Sequence, residues 1–225
     1  MKLNSNEVHV WSISLKQNDQ VLEQLKLFLS KEEKGRSEKF HSKQDQKNFI
    51  IAHGALQDIL GRYLEGVKPP LEFIKNKQGK PSLKESLLTF NLSHSGDLAL
   101  VAVAQGRQIG VDVEKIRKET DIKNIAHRFF SIQETNQLTA LPAEKQIEAF
   151  YACWTRKESF IKAKGVGFSL PLNTFDVSVN PEGATEILVS DSLKWSLQDV
   201  MISPKYRAAV CAEDTDWLLT QCIWK

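Results

Sequence analysis

Asp112 and Glu114 stand one residue apart in Ile109-Gly-Val-Asp-Val-Glu114, and later in the chain Trp154-Thr-Arg-Lys-Glu-Ser-Phe-Ile-Lys162 sets Glu158 and Lys162 one helical turn apart. Side chains of a strand alternate between its faces, so Ile109, Val111 and Val113 go one way and the two acids the other, with Cα atoms roughly 7 Å apart. Two carboxylates that face one space repel each other unless a cation lies between them. Hard oxygen donors at that separation suit a Mg²⁺ ion that keeps positions open for substrate phosphates.

Helical geometry supplies a third acid. From Ile147 onward the large apolar residues fall at 147, 150, 151, 154 and 161, the spacing of one face of an amphipathic helix. At about 100° per residue Glu158 lies on that same face, near Phe150 and Trp154 in angle, where a buried side chain is expected. A carboxylate there is costly unless it is paired or metal-bound. Lys162 projects from nearly the same side, placed to hold the charge or to meet an anionic ligand. A plain surface Glu–Lys pair would belong on the polar face instead.

These side chains need a scaffold of strands and helices. Val8 to Leu15 alternates as a strand, Val21 to Leu29 has helical periodicity, and Ser30-Lys-Glu-Glu33 reads as a capping box opening a charged helical stretch that ends near Phe40. A long helix is expected over Gln46 to Tyr63, ended by Pro69-Pro70. A short strand at Glu72 to Lys75, a Gly79-Lys80-Pro81 turn and a buried strand at Leu98 to Ala104 follow, and Gln105-Gly-Arg107 reads as a hairpin into the strand of the acids. The rest reads as a helix over Ile122 to Phe130, the long helix of Glu158, and strands near 175–179, 187–189, 194–197 and 208–212. Both halves run through strand, helices and hairpin sheet, with similar turns at Asn76-Lys-Gln-Gly79 and Asn180-Pro-Glu-Gly183. That pattern suggests two duplicated α/β lobes (α+β in kind) in one compact unit, with a binding cleft between them.

The 225 residues, 41% hydrophobic, suffice for one sizeable core or two small ones. Thirty basic residues nearly match twenty-eight acidic ones, for a net charge of +2, which argues against a nucleic-acid binder. The three cysteines, Cys153, Cys211 and Cys222, form no C-x-x-C pair and suggest neither a disulfide framework nor a zinc site. No apolar run is long enough for a bilayer, and the start of the chain has no signal-peptide core. A cytoplasmic, soluble protein is expected.

Other segments are candidate phosphate contacts. Asn91-Leu-Ser-His-Ser95-Gly96 sets hydroxyls, a histidine and an exposed backbone ahead of the buried strand, good donors to a phosphate, although such a loop can equally satisfy its own backbone. Arg36, Lys39, Lys43 and Lys47 form a charged face that could also meet a ligand phosphate. Ser131-Ile-Gln-Glu134 reads as a second capping box. Trp154 and Phe129-Phe130 read as core, and His9, His41, His53 and His127 share no spacing with the acids.

Gly79-Lys80-Pro81, Asn91-Leu-Ser-His-Ser95, Ile109-Gly-Val-Asp-Val-Glu114, Arg128-Phe-Phe-Ser131 and Trp154 to Lys162 together resemble the 4′-phosphopantetheinyl transferases of the surfactin-synthetase activating (Sfp) type. The resemblance covers most of the chain and thins after about residue 175. It implies a pseudo-twofold monomer of two lobes, 1–107 with the coenzyme A nucleotide contacts and 108–225 with the metal-binding and catalytic acids. It implies transfer of the phosphopantetheine arm of coenzyme A to a serine of an apo acyl or peptidyl carrier protein, releasing adenosine 3′,5′-bisphosphate. Asp112, Glu114 and Glu158 match the magnesium-associated acids, and Glu158 is the candidate general base, directly or through a metal-bound water. Lys162 matches the lysine at the pyrophosphate, and Ser93, His94 and Lys80 match coenzyme A contacts. Lys157 is expected beside the site, at the pantetheine arm or the carrier, and the carrier is expected to dock near Arg128 to Gln133. The chain departs from the family where Lys47 and Asn48 stand in place of a frequent arginine at the 3′-phosphate, and where Glu33 stands for a frequent lysine. Rival readings are another Mg²⁺-dependent pyrophosphate-cleaving transferase, and a binder of carrier protein or coenzyme A that has lost turnover. Retained acids disfavour the latter.

Overall fold

The computed structural model describes residues 1–225, with Phe168 described by its backbone alone. The first half runs β1 (Glu7–Ser14), α1 (Asp19–Phe28), α2 (Lys31–Ser37), α3 (Lys43–Tyr63), β2 (Phe73–Lys75), β3 (Pro81–Leu83), β4 (Leu88–Ser95) and β5 (Leu98–Gln105). The second runs β6 (Ile109–Lys115), α4 (Ile122–Phe129), α5 (Ile132–Ala140), α6 (Ala143–Lys164), β7 (Asp176–Val177), β8 (Ile187–Leu188), β9 (Trp195–Asp199) and β10 (Tyr206–Glu213), before a last strand β11 (Leu218–Ile223). Each half repeats one plan: a strand, helices, a small hairpin, and a larger hairpin whose second strand pairs antiparallel with the first strand. The sheets are accordingly β4-β5-β1, extended by β11 beside β1, and β6-β10-β9, with β2-β3 and β7-β8 as the small hairpins. Their turns match in detail, since Gln78 N–H donates to the Asn76 side chain and Glu182 N–H to that of Asn180, both at 3.0 Å.

Hydrophobic alternation stacks these parts in layers. Trp11 and Ile13 of β1 and Ala99, Val101 and Val103 of β5 point to Ile51, Ala55 and Ile59 of α3. The intervening residues, Val8, Val10, Leu100, Ala102 and Ala104, face the other way onto Ile109, Val111, Val113, Ala208 and Val210 of the second sheet. On that sheet's far side lies α6, with Phe150, Cys153 and Phe160 in a third cluster that includes Cys211 and Leu197. Both sheets are therefore covered on two faces, which explains the unbroken apolar run of β5.

This layering corrects the expected hairpin at Gln105-Gly-Arg107. Strand β6 pairs with β10 rather than with β5, and the turn carries the chain from one sheet onto the face of the other. Gly106 takes the left-handed conformation (φ 70°), and buried Arg107 ties the corner to Glu213 and Ser5 carbonyls at 2.9 and 2.7 Å. Strand β11 was not foreseen: it leaves the second half and pairs parallel with β1 from Glu7↔Leu218 to Ser12↔Ile223. Among the described residues no helix is long and apolar enough to cross a membrane.

Candidate functional site

Gly110 decides how closely α6 approaches the strand of the acids. A Cβ built there would lie 2.1 Å from the Ser159 carbonyl oxygen and 2.3 Å from Ala163 N, so only glycine admits the helix at this depth. Asp112, two residues on and facing α6, consequently meets Lys162, whose Nζ lies 2.5 Å from Asp112 Oδ1. Strand β4 closes the third side. Ser93 Oγ–H donates to Asp112 Oδ1 at 2.9 Å while accepting from Lys162 Nζ at 3.0 Å, and Ser95 Oγ–H donates to Glu114 Oε2 at 2.7 Å.

Glu158 stands one turn before Lys162, and burial is the main cause that raises its pKa, to about 7, with the charge of Asp112 next, Lys162 opposing and Glu114 adding. Glu114 is also pushed up, by burial and then by Asp112, against the Ser95 hydrogen bond and Lys162. Asp112 Oδ2 and Glu158 Oε1 are buried with no hydrogen-bond partner. Buried carboxylate oxygens without donors are uncommon, and a divalent cation is what this donor set would satisfy. Among the described residues no group of three or more His, Cys, Asp or Glu stands so as to hold a metal ion, so an ion held here would need oxygens from its ligand as well.

Beside the acids opens a cleft of about 280 Å³ shared by the two halves, lined by Gly79, Lys80 and Asn91 from the first and Glu158, Lys162 and Gly165 from the second. Lys80 reaches it with its ammonium group anchored, donating to the Ile109 and Ala163 carbonyls at 2.9 and 2.8 Å. Burial lowers its pKa to about 8. Asn76 adds a bond from its side-chain amide to the Gly165 carbonyl at 2.8 Å, so this turn of the first half caps the end of α6.

The Asn91–Ser95 segment is strand, not loop, and its alternation splits the expected phosphate donors. Asn91, Ser93 and Ser95 turn to β6, whereas His94 turns away toward α3 with its edge open to solvent. Partial burial and the positive charges of His53, Lys162 and Arg36 hold the His94 imidazole below its ordinary pKa, with Asp45 opposing. Arg36, a candidate phosphate contact from the sequence, is thus joined at this end by His53, which the sequence did not single out. The clue to His53 was indirect, its place midway along α3. Lys47, expected at the nucleotide, instead pairs with Asp19 at 3.2 Å on an exposed rim.

Lys157 needs a plain correction. Its side chain is fully buried against Glu134 at 2.7 Å and donates to the Leu172 and Phe175 carbonyls at 2.7 and 2.6 Å. No ligand can reach it, and it ties α6 to α5 and to the start of β7. Glu134 completes the expected capping box with Ser131 as well.

The chain matches the model of the 4′-phosphopantetheinyl transferase superfamily over residues 108–211 and that of the 4′-phosphopantetheinyl transferase N-terminal region over 11–106. It is 36% identical over 222 residues to the 4′-phosphopantetheinyl transferase HetI of Nostoc sp. (strain PCC 7120), covering 96% of this chain and 92% of that protein. This chain belongs to the 4′-phosphopantetheinyl transferase superfamily. Sfp of Bacillus subtilis (strain 168), also named a 4′-phosphopantetheinyl transferase, is 32% identical over 192 residues, 84% of each chain. The protein psf-1 of Bacillus pumilus, named likewise, is 33% identical over 192 residues, 84% of this chain and 81% of its own. Membership gives the cluster around Asp112, Glu158 and Lys162 a chemistry to perform.

Proposed function

We propose that this chain transfers the 4′-phosphopantetheine arm of coenzyme A to a serine of an apo acyl or peptidyl carrier protein. The serine oxygen forms a bond to the phosphorus that bears the pantetheine arm, the bond from that phosphorus to the bridging oxygen breaks, and adenosine 3′,5′-bisphosphate leaves. The serine proton goes to Glu158. The observation that carries this reading is Glu158 itself, a carboxylate at the cleft shared with Lys162. With no cation bound, burial and two neighbouring acids hold it near pKa 7, and a bound cation would lower that value and keep it a base at neutral pH.

Lys162 stands ready for the other side of the reaction. Its ammonium group, now on Asp112 and Ser93, offers a charge to the departing bisphosphate, where negative charge grows as the bond breaks. Asp112, Glu114 and Glu158 would hold Mg²⁺, which when bound neutralises charge on the pyrophosphate. Their two unpartnered buried oxygens support that assignment. Lys80, anchored to both β6 and α6, orients the cleft and presents its remaining N–H to a phosphate. Arg36, His53 and His94 are assigned the nucleotide end in place of Lys47, because Arg36 and His53 line one cavity and both charges act on His94. Three cysteines kept as free thiols support a cytoplasmic setting, and a monomer is the working state.

The direct test is intact mass of a panel of apo carrier proteins after incubation with this protein, coenzyme A and Mg²⁺, beside a reaction in chelator. A gain of one phosphopantetheine that chelator abolishes is expected. Folded protein giving no gain on any carrier would leave a non-catalytic binder.

A further inference from the structure

Strand β4 meets β6 through side chains instead of a backbone ladder. Asn91 Oδ1 accepts from Val111 N–H at 2.9 Å, Ser93 Oγ from Val113 N–H at 3.4 Å, and Ser95 Oγ from Lys115 N–H at 3.1 Å. Every second residue of β4 thus serves every second amide along the free edge of β6.

The two serines do something more that Asn91 does not. Each accepts from the amide that follows an acid and donates to that acid's own carboxylate: Ser93 to Asp112 at 2.9 Å, Ser95 to Glu114 at 2.7 Å. A hydroxyl has one proton. With an N–H already pointing at the serine oxygen, that proton goes to the carboxylate, so each serine is a donor of fixed direction. One oxygen of each acid is thereby fastened to β4 and the side-chain torsions are set before any ligand arrives. The acids lie on one half of the chain and the serines on the other, so the seam between the halves also fixes the aim of the carboxylates.

We infer that Ser95, together with Ser93, is a positioning residue that holds the acids ready for a divalent cation, an inference that rests on the metal reading above. Groups hydrogen-bonded to metal-ligating carboxylates typically change metal affinity 10–100-fold, by fixing the ligand's orientation. Ser95 is the cleaner of the pair to test, because Ser93 also accepts from Lys162.

The experiment is a Mn²⁺ titration followed by electron paramagnetic resonance, on full-length protein with coenzyme A present and no acceptor. Ser95→Ala should raise the Mn²⁺ Kd roughly 10–100-fold, and Ser95→Thr, which keeps the hydroxyl, should restore it. Asn91→Ala cuts the same seam without releasing an acid, and because Asn91 also lines the cleft it should lower the melting temperature and raise the Mn²⁺ Kd by much less than Ser95→Ala does. An unchanged Kd in Ser95→Ala beside normal binding by the wild type would remove the serine's role and leave the metal reading standing. An equal rise in Asn91→Ala would mean that the seam as a whole, rather than the hydroxyl, sets affinity. Folded wild-type protein that binds no Mn²⁺ would overturn the metal reading and this inference with it.

Discussion

Glu158 is strained by the surroundings that make it useful. Its carboxyl binds a proton more tightly in the folded chain, with a pKa of about 7, than at its ordinary value of 4.5. The folded state is therefore not penalised by this group below about pH 4.5, and the penalty builds between about pH 4.5 and 7 and is full above that. At 1.36 kcal/mol per pKa unit the full effect is on the order of 3 kcal/mol. Glu158→Gln should accordingly abolish most transfer, by roughly 10²-fold or more, while raising the melting temperature above pH 7 by about 3 °C or more. A melting temperature that falls would mean that the carboxylate is comfortable where it stands. The acids were legible in the sequence because charge interrupts an apolar pattern at 112, 114 and 158. Lys157 was misread for the complementary reason. It looks like one more charge in a charged stretch, and nothing local reveals that its partner Glu134 is buried with it.

At the scale of elements, one helix seated on one strand aligns Glu158, Lys162 and Asp112. The expectation of an amphipathic α6 was too simple, since Thr155, Arg156, Lys157 and Ser159 are as buried as Phe150 and Phe160. Arg156 is satisfied by Asp199 at 2.6 Å, a partner far off in sequence, which is why periodicity alone showed a single face. Gly110→Ala should force α6 away from β6, because the new methyl meets the helix backbone at Ser159 and Ala163. We expect a loss of about 3 kcal/mol or more, read as a shifted urea midpoint, together with inactivity. Stability within about 0.5 kcal/mol of wild type would show that the helix has room to move. Lys157→Met should cost about 3–5 kcal/mol by leaving the buried Glu134 without its counter-charge. Adding Glu134→Gln should recover part of it in the same urea titration, whereas strictly additive losses would deny the pairing.

Across the whole molecule, the repeated plan leaves the second half with the clustered acids and the corresponding face of the first half closed. Asp58 and Arg62 on α3 keep the four-residue spacing of Glu158 and Lys162 on α6, yet they pair with each other at 2.6 Å. Arg62 lies over the ring of Trp11 at 5.2 Å, on the face of β1 where β6 carries Asp112. The free edge of β1 is covered by β11, and Trp224 just beyond it donates to Asp58 at 2.8 Å. The repeated plan was visible in the order of elements and in the paired Asn-x-x-Gly turns. The returning strand was not, because Leu218 to Ile223 alternates poorly and pairs with residues at the opposite end of the chain. Ending the chain after Asp216 should uncover β1 and leave Asp58 without its tryptophan. Hydrogen exchange at Val8 to Ser12 should then quicken severalfold or more. Amides there that stay as protected as in the full chain would mean that β11 is dispensable to the first half.

The rate of phosphopantetheine transfer as a function of pH, at saturating coenzyme A, Mg²⁺ and carrier, bears most directly on Glu158 as the base. A rate that climbs about tenfold per pH unit on the acid side and levels off at or below about pH 7 is expected, with that limb missing from the residual activity of Glu158→Gln. A wild-type rate that is flat from about pH 5 to pH 8, or that falls as pH rises, would take the proton from the acceptor serine by some other group.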